Sequence, residues 1–199
     1  MLRLKEKYNK EVIPQMKEIF GYKNVLAVPK IEKVVVNSSF GRLVSGKSRQ
    51  DAEKLYKNIL EDLAIICGQS PVITRAKKSI SGFKLREGMP VGAKVTLRKA
   101  KMYDFLDRLI HIVFPRTRDF AGLKPELVDK EGNLTIGIKE QIVFPEITAE
   151  KISKMFGLEI TIVMNSKSRE ESLALLRLLG FPFKKDKKDK KEKINKNNN

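Results

Sequence analysis

Residue types that bind metals or form disulfides are almost absent from this chain. Its 199 residues include one cysteine, Cys67, one histidine, His111, and no tryptophan. A single cysteine excludes an internal disulfide framework and a cysteine-based zinc site, and a single histidine excludes a histidine pair as metal ligands. Cys67 is interpreted as a small buried residue and His111 as a helix residue near the edge of the core. We therefore expect no metal site, no cofactor and no catalytic centre.

Long apolar runs are also missing. The longest stretch without a charged residue, 63–74, has twelve residues, which is too few to cross a bilayer. The first residues lead into no apolar segment of the kind found in secretory signals. Hydrophobic residues still make up 41% of the chain, enough for a real core. We expect a cytoplasmic globular protein that has no membrane partner.

Acidic residues are scarce relative to basic ones, and the excess is concentrated. The chain has 41 Lys and Arg against 24 Asp and Glu, a net charge of +17. Residues 75–101 hold nine of the basic groups against Glu87 alone, and residues 184–199 hold eight lysines against three acids. A localised positive field of this kind is typical of a phosphate-binding surface. Because residues 184–199 have almost no apolar side chains, they are predicted to be a disordered tail behind a single RNA-binding domain at 1–183.

The spacing of apolar residues predicts an α+β fold. Helical spacing occurs at 4–19 with a kink at Pro14, at 48–67, at 102–113 with a stop at Pro115, and from the capping box at Ser168 to Gly180. Strands are predicted at 31–37, 71–75, 90–98, 134–138 and 158–165, with an extended piece at 141–144. The strands are half polar, unlike those of a doubly covered parallel sheet. We expect a two-layer sandwich with a largely antiparallel sheet, helices packed on one face, and the other face exposed for RNA.

One motif favours an enzyme. Residues 41–48, GRLVSGKS, satisfy the phosphate-loop pattern G-x-x-x-x-G-K-[ST] between a predicted strand and a predicted helix. Lys47 would neutralise phosphates and Ser48 would hold Mg²⁺. Against this, no apolar strand ends in an aspartate for the second metal contact, and the charge maximum lies elsewhere. A small P-loop nucleotide-binding protein is therefore kept as the alternative.

A nucleic-acid-binding surface agrees better with the charge distribution. Lys94, Thr96 and Arg98 would project from one strand face about 7 Å apart, near the spacing of successive phosphates or riboses. Phe83 lies in the neighbouring basic segment, where an aromatic ring can stack on an unpaired base. A broad sheet face with a long basic loop suits RNA better than the DNA major groove. A general nucleic-acid chaperone stays open as a third interpretation.

A series of short motifs runs in order from residue 4 to residue 183. They include AKKSISGFKLREGMPVG at 76–92, KVTLR at 94–98, GIKEQ at 137–141, FPEI at 144–147 and LGFPF at 179–183. Together they resemble the family of bacterial large-subunit ribosomal proteins that bind 5S ribosomal RNA. Three departures stand out: Ser38-Ser39-Phe40 replace a Gly-containing turn, and Lys99 and Ala121 replace residues that are often Gly and Arg. Residues 41–48 lie outside the family pattern, so the phosphate-loop match looks accidental.

The resemblance implies a non-enzymatic constituent of the large ribosomal subunit that attaches 5S rRNA in the central protuberance. The implied partners are 5S rRNA, large-subunit rRNA, P-site tRNA, neighbouring 5S-binding ribosomal proteins and a protein of the small-subunit head. The residues expected to bind rRNA are Lys33, Asn37, Gln69, Lys94, Thr96 and Arg98. The loop at 76–90 is expected to lie near tRNA through Lys77, Lys78, Ser79, Phe83, Lys84 and Arg86. An intersubunit contact is expected at Arg116 and Arg118.

Overall fold

A five-stranded antiparallel sheet organises the molecule. The computed structural model describes residues 3–118, 120–147 and 154–184, so all of the predicted tail except Lys184 lies outside the described residues. The strands are β1 (Ile31–Ser39), β2 (Val72–Arg75), β3 (Pro90–Leu97), β4 (Leu134–Ile138) and β5 (Leu158–Met164). Their spatial order is β2-β3-β1-β5-β4, and every neighbouring pair is antiparallel. The predicted α+β class is confirmed.

Helices cover one face of this sheet. They are α1 (Leu4–Lys7), α2 (Ile13–Phe20), α3 (Gly41–Val44), α4 (Arg49–Cys67), α5 (Lys99–Arg108), α6 (Phe114–Arg116) and α7 (Arg169–Leu179). α4 packs on β3 and α5 packs on β1. The side chains between the layers form two cross-strand rows in which no residue is more than 4% exposed. The rows are Val95, Val36, Ile160, Ile136 and Leu97, Val34, Ile162, Leu134.

Two prolines shape their helices in the same way. A π-helical turn at Tyr8–Val12 joins α1 to α2 just before Pro14, and another at Leu109–Val113 joins α5 to α6 just before Pro115. Proline has no N–H and its ring clashes with the carbonyl four residues earlier, so the preceding turn widens to an i→i−5 bond. The predicted kink at Pro14 takes this form. The predicted stop at Pro115 is wrong, because the helix continues to Arg116.

One other local expectation needs correction. Residues 141–144, predicted to be extended, contain a 3₁₀ turn at Gln141–Val143. The Gln141 side chain explains it: the residue is fully buried, and its amide bonds the backbone of Lys154 and Phe156 at 2.9 Å each. Gly92 of β3 lies opposite Ser39 and Thr74 and is buried there, and a Cβ at this position would lie 2.8 Å from the Ser38 carbonyl oxygen.

Candidate nucleic-acid interface

The sheet face opposite the helices, here called the open face, is polar. It carries alternate residues of the strands, which are exposed or half-buried. They are Lys33, Val35, Asn37 and Ser39 of β1, Val72 and Thr74 of β2, Lys94 and Thr96 of β3, Thr135 and Gly137 of β4, and Glu159, Thr161 and Val163 of β5. The period of two in each strand produces this separation, because successive side chains point to opposite faces.

A cation, an amide and a carboxylate lie in one row across the centre of the open face. Asn37 on the middle strand is directly opposite Lys94 on one side and Glu159 on the other. Directly opposed residues of an antiparallel pair have Cβ atoms about 5 Å apart. The row therefore presents an ammonium donor, an amide that both donates and accepts, and a carboxylate acceptor within a short span. Such a set can contact phosphate, ribose hydroxyls and base edges.

The next row adds hydroxyl groups. Thr96, Thr161 and Thr135 lie in register across the sheet with Val35 between the first two. The hydroxyl oxygens of Thr135 and Thr161 are 3.3 Å apart, at hydrogen-bonding distance. Hydroxyls at the middle of a rigid sheet suit the ribose 2′-OH, which both donates and accepts.

Gln69 reaches the sheet from the loop after α4. Its side-chain amide donates to the backbone carbonyl of Thr96 at 3.3 Å, and Lys101 Nζ donates to the neighbouring Gly68 carbonyl at 3.0 Å. Arg98 is exposed and directly follows β3. The six residues predicted to bind rRNA thus lie on the open face or at the C-terminal end of β3.

The basic loop, residues 76–90, is a hairpin extension of β2 and β3. Backbone bonds join Ala76 to Met89 and Gly88, and two further bonds join Ile80 and Leu85. The Ser79 hydroxyl accepts the Glu87 amide at 2.9 Å. Ser79, predicted to lie near tRNA, therefore already forms a hydrogen bond that stabilises the loop itself.

The charged side chains of the basic loop point to solvent. Lys77, Lys78, Lys84 and Arg86 are all exposed, and none forms an ion pair among the residues that the structure describes. The side chain of Phe83 is 67% exposed. Since burying an aromatic ring is favourable, an aromatic side chain left this open in a cationic loop is well suited to stack on a base.

Arg116 and Arg118 lie away from these groups. Both are exposed: Arg116 is the last residue of the helical stretch that begins just after Arg98, and Arg118 follows two residues later. At 1.5 Å per residue this stretch separates Arg98 from Arg116 by about 26 Å. The structure thus does not bring the arginines of the expected intersubunit contact to the open face.

Several open-face residues were absent from the predicted site. Glu159, Thr161 and Thr135 were not assigned a role, although the alternation in β5 already placed Glu159 and Thr161 on the polar side. What the sequence does not reveal is that β5 is the neighbour of β1, a pairing between residues more than 100 positions apart, and that β4 follows on the far side of β5. Glu159 is therefore an acid inside a surface that looked purely basic.

The phosphate-loop alternative is wrong. Gly41–Val44 is a short helix rather than an open loop, and the preceding strand belongs to an antiparallel sheet. The Ser48 hydroxyl is used locally: it accepts the Asp51 amide at 3.2 Å and donates to the Asp51 carboxylate at 2.6 Å. This caps α4 and leaves the hydroxyl no role with Mg²⁺.

Cys67 and His111 have ordinary structural positions. Cys67 is 3% exposed, and burial raises the pKa of its thiol to about 12 although the nearby Arg108 lowers it. His111 is exposed and lies 3.6 Å from Asp107, one turn earlier on the same helix. Within the described ranges no cluster of His, Cys, Asp and Glu is arranged to hold a metal ion. Of the helices described there, none is long and apolar enough to cross a membrane.

Comparison with known proteins decides the family. A family model described as ribosomal protein L5 matches residues 24–86, and the model for the C-terminus of the same ribosomal family matches residues 90–183. The chain belongs to the ribosomal protein L5 family. Proteins named large ribosomal subunit protein uL5 from Geotalea uraniireducens and Geobacter sulfurreducens are 52% and 53% identical over 184 residues, 92% of this chain and 99% of theirs. The one from Caldanaerobacter subterraneus subsp. tengcongensis is 52% identical over 185 residues, 93% of this chain and 100% of its own.

Family membership confirms the resemblance inferred from the motifs. The protein is a structural constituent of the large ribosomal subunit and not an enzyme. It works within a ribonucleoprotein, so ribosomal RNA is its partner class. Ribosomal RNA is a polyanion, so a partner of this class accounts for the positive charge and the polar open face.

Proposed function

We propose that the protein binds 5S rRNA through the open face and attaches it to the large-subunit rRNA in the central protuberance. The observation that carries this proposal is the row of Lys94, Asn37 and Glu159, which has Thr96 and Gln69 beside it. These groups combine charge with hydrogen-bond donors and acceptors that can tell one RNA surface from another.

Rigidity supports the assignment. Every strand of the open face is fixed by backbone pairing to its neighbours, and the opposite sides of β1, β3, β4 and β5 are packed in the core. Binding to such a surface costs little conformational entropy, because the contacting groups are already in place. Lys94 and Arg98 then neutralise phosphates and fix the orientation of the RNA, while Asn37, Gln69 and Thr96 contact ribose or bases.

The basic loop serves a second RNA, the P-site tRNA. Lys77, Lys78, Lys84 and Arg86 bind its phosphates, and Phe83 stacks on an exposed base or packs on a ribose. The exposure of all five side chains supports this role. The loop projects from β2 and β3 while the open face spans all five strands, so the two RNAs need not compete.

A third surface contacts proteins. Arg116 and Arg118 form the contact with a protein of the small-subunit head, and neighbouring 5S-binding ribosomal proteins complete the assembly. The separation of about 26 Å between Arg98 and Arg116 along the helix supports simultaneous engagement of rRNA and the small subunit.

Competition binding tests the proposal against a general nucleic-acid chaperone. Labelled 5S rRNA is bound to the full chain and displaced with unlabelled 5S rRNA, with tRNA, and with an unrelated RNA duplex of equal length. We expect 5S rRNA to displace the label at concentrations at least about a hundredfold below those needed for the duplex, in keeping with specific over non-specific recognition. Equal displacement by the duplex would contradict a 5S-specific site.

A further inference from the structure

A cleft of about 770 Å³ separates the basic loop from the N-terminal part of α4. It lies outside the rRNA residues of the open face, and its walls include Lys47, for which the proposed function has no role. Clefts of roughly 300–1,000 Å³ are of the size that holds a small organic ligand. A single nucleotide falls within this range.

The cleft is strongly positive. Four cations line it, Lys47, Arg75, Lys84 and Arg86, against one carboxylate, Glu53. Glu53 is itself paired with Lys57 at 3.2 Å, so its charge is partly compensated. Cations that converge from two walls of one concavity create a stronger local potential than the same charges on a convex surface. The cleft therefore favours an anion.

Part of the wall is apolar and flat. Tyr56, Leu85 and Met89 are half-buried side chains that face the same space. The Tyr56 ring is stacked on buried Phe40 with centroids 5.9 Å apart and an angle of 16° between the planes, which fixes its orientation. A ligand that suits this site has a planar apolar group together with a negative charge.

The two walls are tied together near the turn that holds Lys47. The Ser45 hydroxyl donates to the Phe83 carbonyl at 2.9 Å, joining the turn before α4 to the tip of the basic loop. Lys84, directly after Phe83, has a left-handed backbone with φ of 51°, a conformation that costs a non-glycine residue about 1 kcal/mol. The cleft is thus a built feature of the fold rather than a gap beside a free loop.

We propose that this cleft binds one unpaired nucleotide of an RNA strand. The phosphate contacts Lys47, Lys84 and Arg86, and the base packs against Tyr56. An unpaired nucleotide is favoured over a paired one because it can leave its helix at little cost in stacking and pairing. The inference rests on the proposed function in that the ligand is RNA, and it adds which feature of an RNA this part of the surface recognises.

The test compares two hairpin RNAs that differ by one bulged nucleotide. Binding to the full-length protein is followed by fluorescence anisotropy, and 2-aminopurine at the bulge reports on its stacking. We expect about tenfold tighter binding of the bulged hairpin, as for one stacked base. Ala52→Phe fills the cleft without changing its charge, so it should abolish the preference. Gln50→Phe, on the exposed side of the same helix turn and outside the cleft, should leave it intact.

A second pair of variants guards against misfolding of Ala52→Phe. Lys47→Ala removes an exposed cation from the cleft and should lower the preference about threefold, whereas Lys54→Ala removes an exposed cation of α4 outside it and should weaken both hairpins equally. Equal binding of the two hairpins by the unmodified protein, or a preference that survives both Ala52→Phe and Lys47→Ala, would overturn the inference.

Failure of this inference can be told apart from failure of the proposed function. The 5S rRNA competition is run in parallel on the same preparations. If 5S specificity is present and the bulge preference is absent, only the cleft assignment is overturned. If the bulge preference is present and 5S specificity is absent, the cleft assignment stands and the open-face proposal is overturned.

Discussion

The two faces of the sheet are made by the same strands and differ in almost every property. Val36 and Ile160 are fully buried against the helices, whereas their chain neighbours Asn37 and Glu159 lie on the open face. One face is apolar apart from buried Ser38, whose hydroxyl donates to the Gly157 carbonyl, and the other mixes hydroxyls, amides and both signs of charge. Because a slip of one residue would exchange the two sets, the apolar rows hold the open face in register. Stability and binding are therefore assigned to alternate residues of one strand.

The largest expected effect is a difference in salt dependence between RNA binding by the open face and the stability that the buried face provides. Binding of 5S rRNA should weaken about a thousandfold between roughly 50 and 200 mM salt if about six phosphates are neutralised. The free energy of unfolding should change little over the same range, since the core is apolar. Filter binding and urea denaturation measure the two quantities. A salt-independent affinity would remove the electrostatic basis of the open face.

Neighbouring substitutions on β3 sharpen the contrast. Leu97→Ala should lower the free energy of unfolding by about 3 kcal/mol, because it empties space in a close-packed row. Thr96→Ala should change it by about 0.5 kcal/mol or less while weakening 5S rRNA binding. Urea unfolding together with RNA titration of both variants checks the pattern. Large destabilisation by Thr96→Ala would mean that the open face also contributes substantially to the stability of the fold.

The free energy of unfolding should depend on pH through a buried group, the thiol of Cys67, whereas the open face contributes no such dependence. Burial raises the pKa of Cys67 from 9.0 to about 12, so between these values the unfolded chain loses the proton first and stability falls as pH rises. From about pH 8 to about pH 10 we expect a loss of about 1.4 kcal/mol. The pKa of Tyr8 is also raised by burial, but from 10.0, so it contributes mainly at higher pH. Denaturation at both values, with Cys67→Ala as the control that flattens the response, measures this effect. An unchanged response in Cys67→Ala would assign it to another group.

The smallest expected effect is on the free energy of unfolding and concerns the backbone at the start of α5. Lys99 directly follows Arg98 and has a left-handed backbone with φ of 53°. Lys99→Gly should stabilise the protein by about 1 kcal/mol because glycine adopts this conformation without a steric cost. Ala100→Gly, one residue later in the same helix, should instead cost roughly 0.5–1 kcal/mol. Thermal or urea unfolding of both variants decides it, and destabilisation by Lys99→Gly would show that the lysine side chain is needed for packing.

The local spacing of apolar and polar residues predicted most helices and strands. It did not predict which strands pair, and the unforeseen neighbours on the open face come from that pairing. Alternation in β3 placed Lys94 and Thr96 on a polar face, and the capping serine Ser168 marked the start of α7, where its hydroxyl accepts the Glu171 amide. No local signal shows that β1 lies between β3 and β5, so Glu159 beside Asn37 was not foreseen.

The remaining misses have physical causes that a linear pattern hides. Pro115 looked like a helix stop, yet a π turn absorbs its missing donor. The cleft lies beside a hydrogen bond from the Ser45 hydroxyl to the tip of the basic loop, a contact between residues that no periodicity relates.

The central claim is that the open face binds 5S rRNA, and one matched pair of triple variants tests it most directly. The first combines Lys94→Ala, Thr96→Ala and Arg98→Ala; the second combines Lys5→Ala, Asn9→Ala and Lys10→Ala, which are two cations and one neutral polar residue, all exposed, in the N-terminal helical region. We predict that the first loses at least about a hundredfold in affinity for 5S rRNA, since contacts to charged groups are worth about 1.5–3 kcal/mol each. The second should lose less than about threefold. Equal losses in the two variants, with unfolding free energies unchanged, would contradict the account.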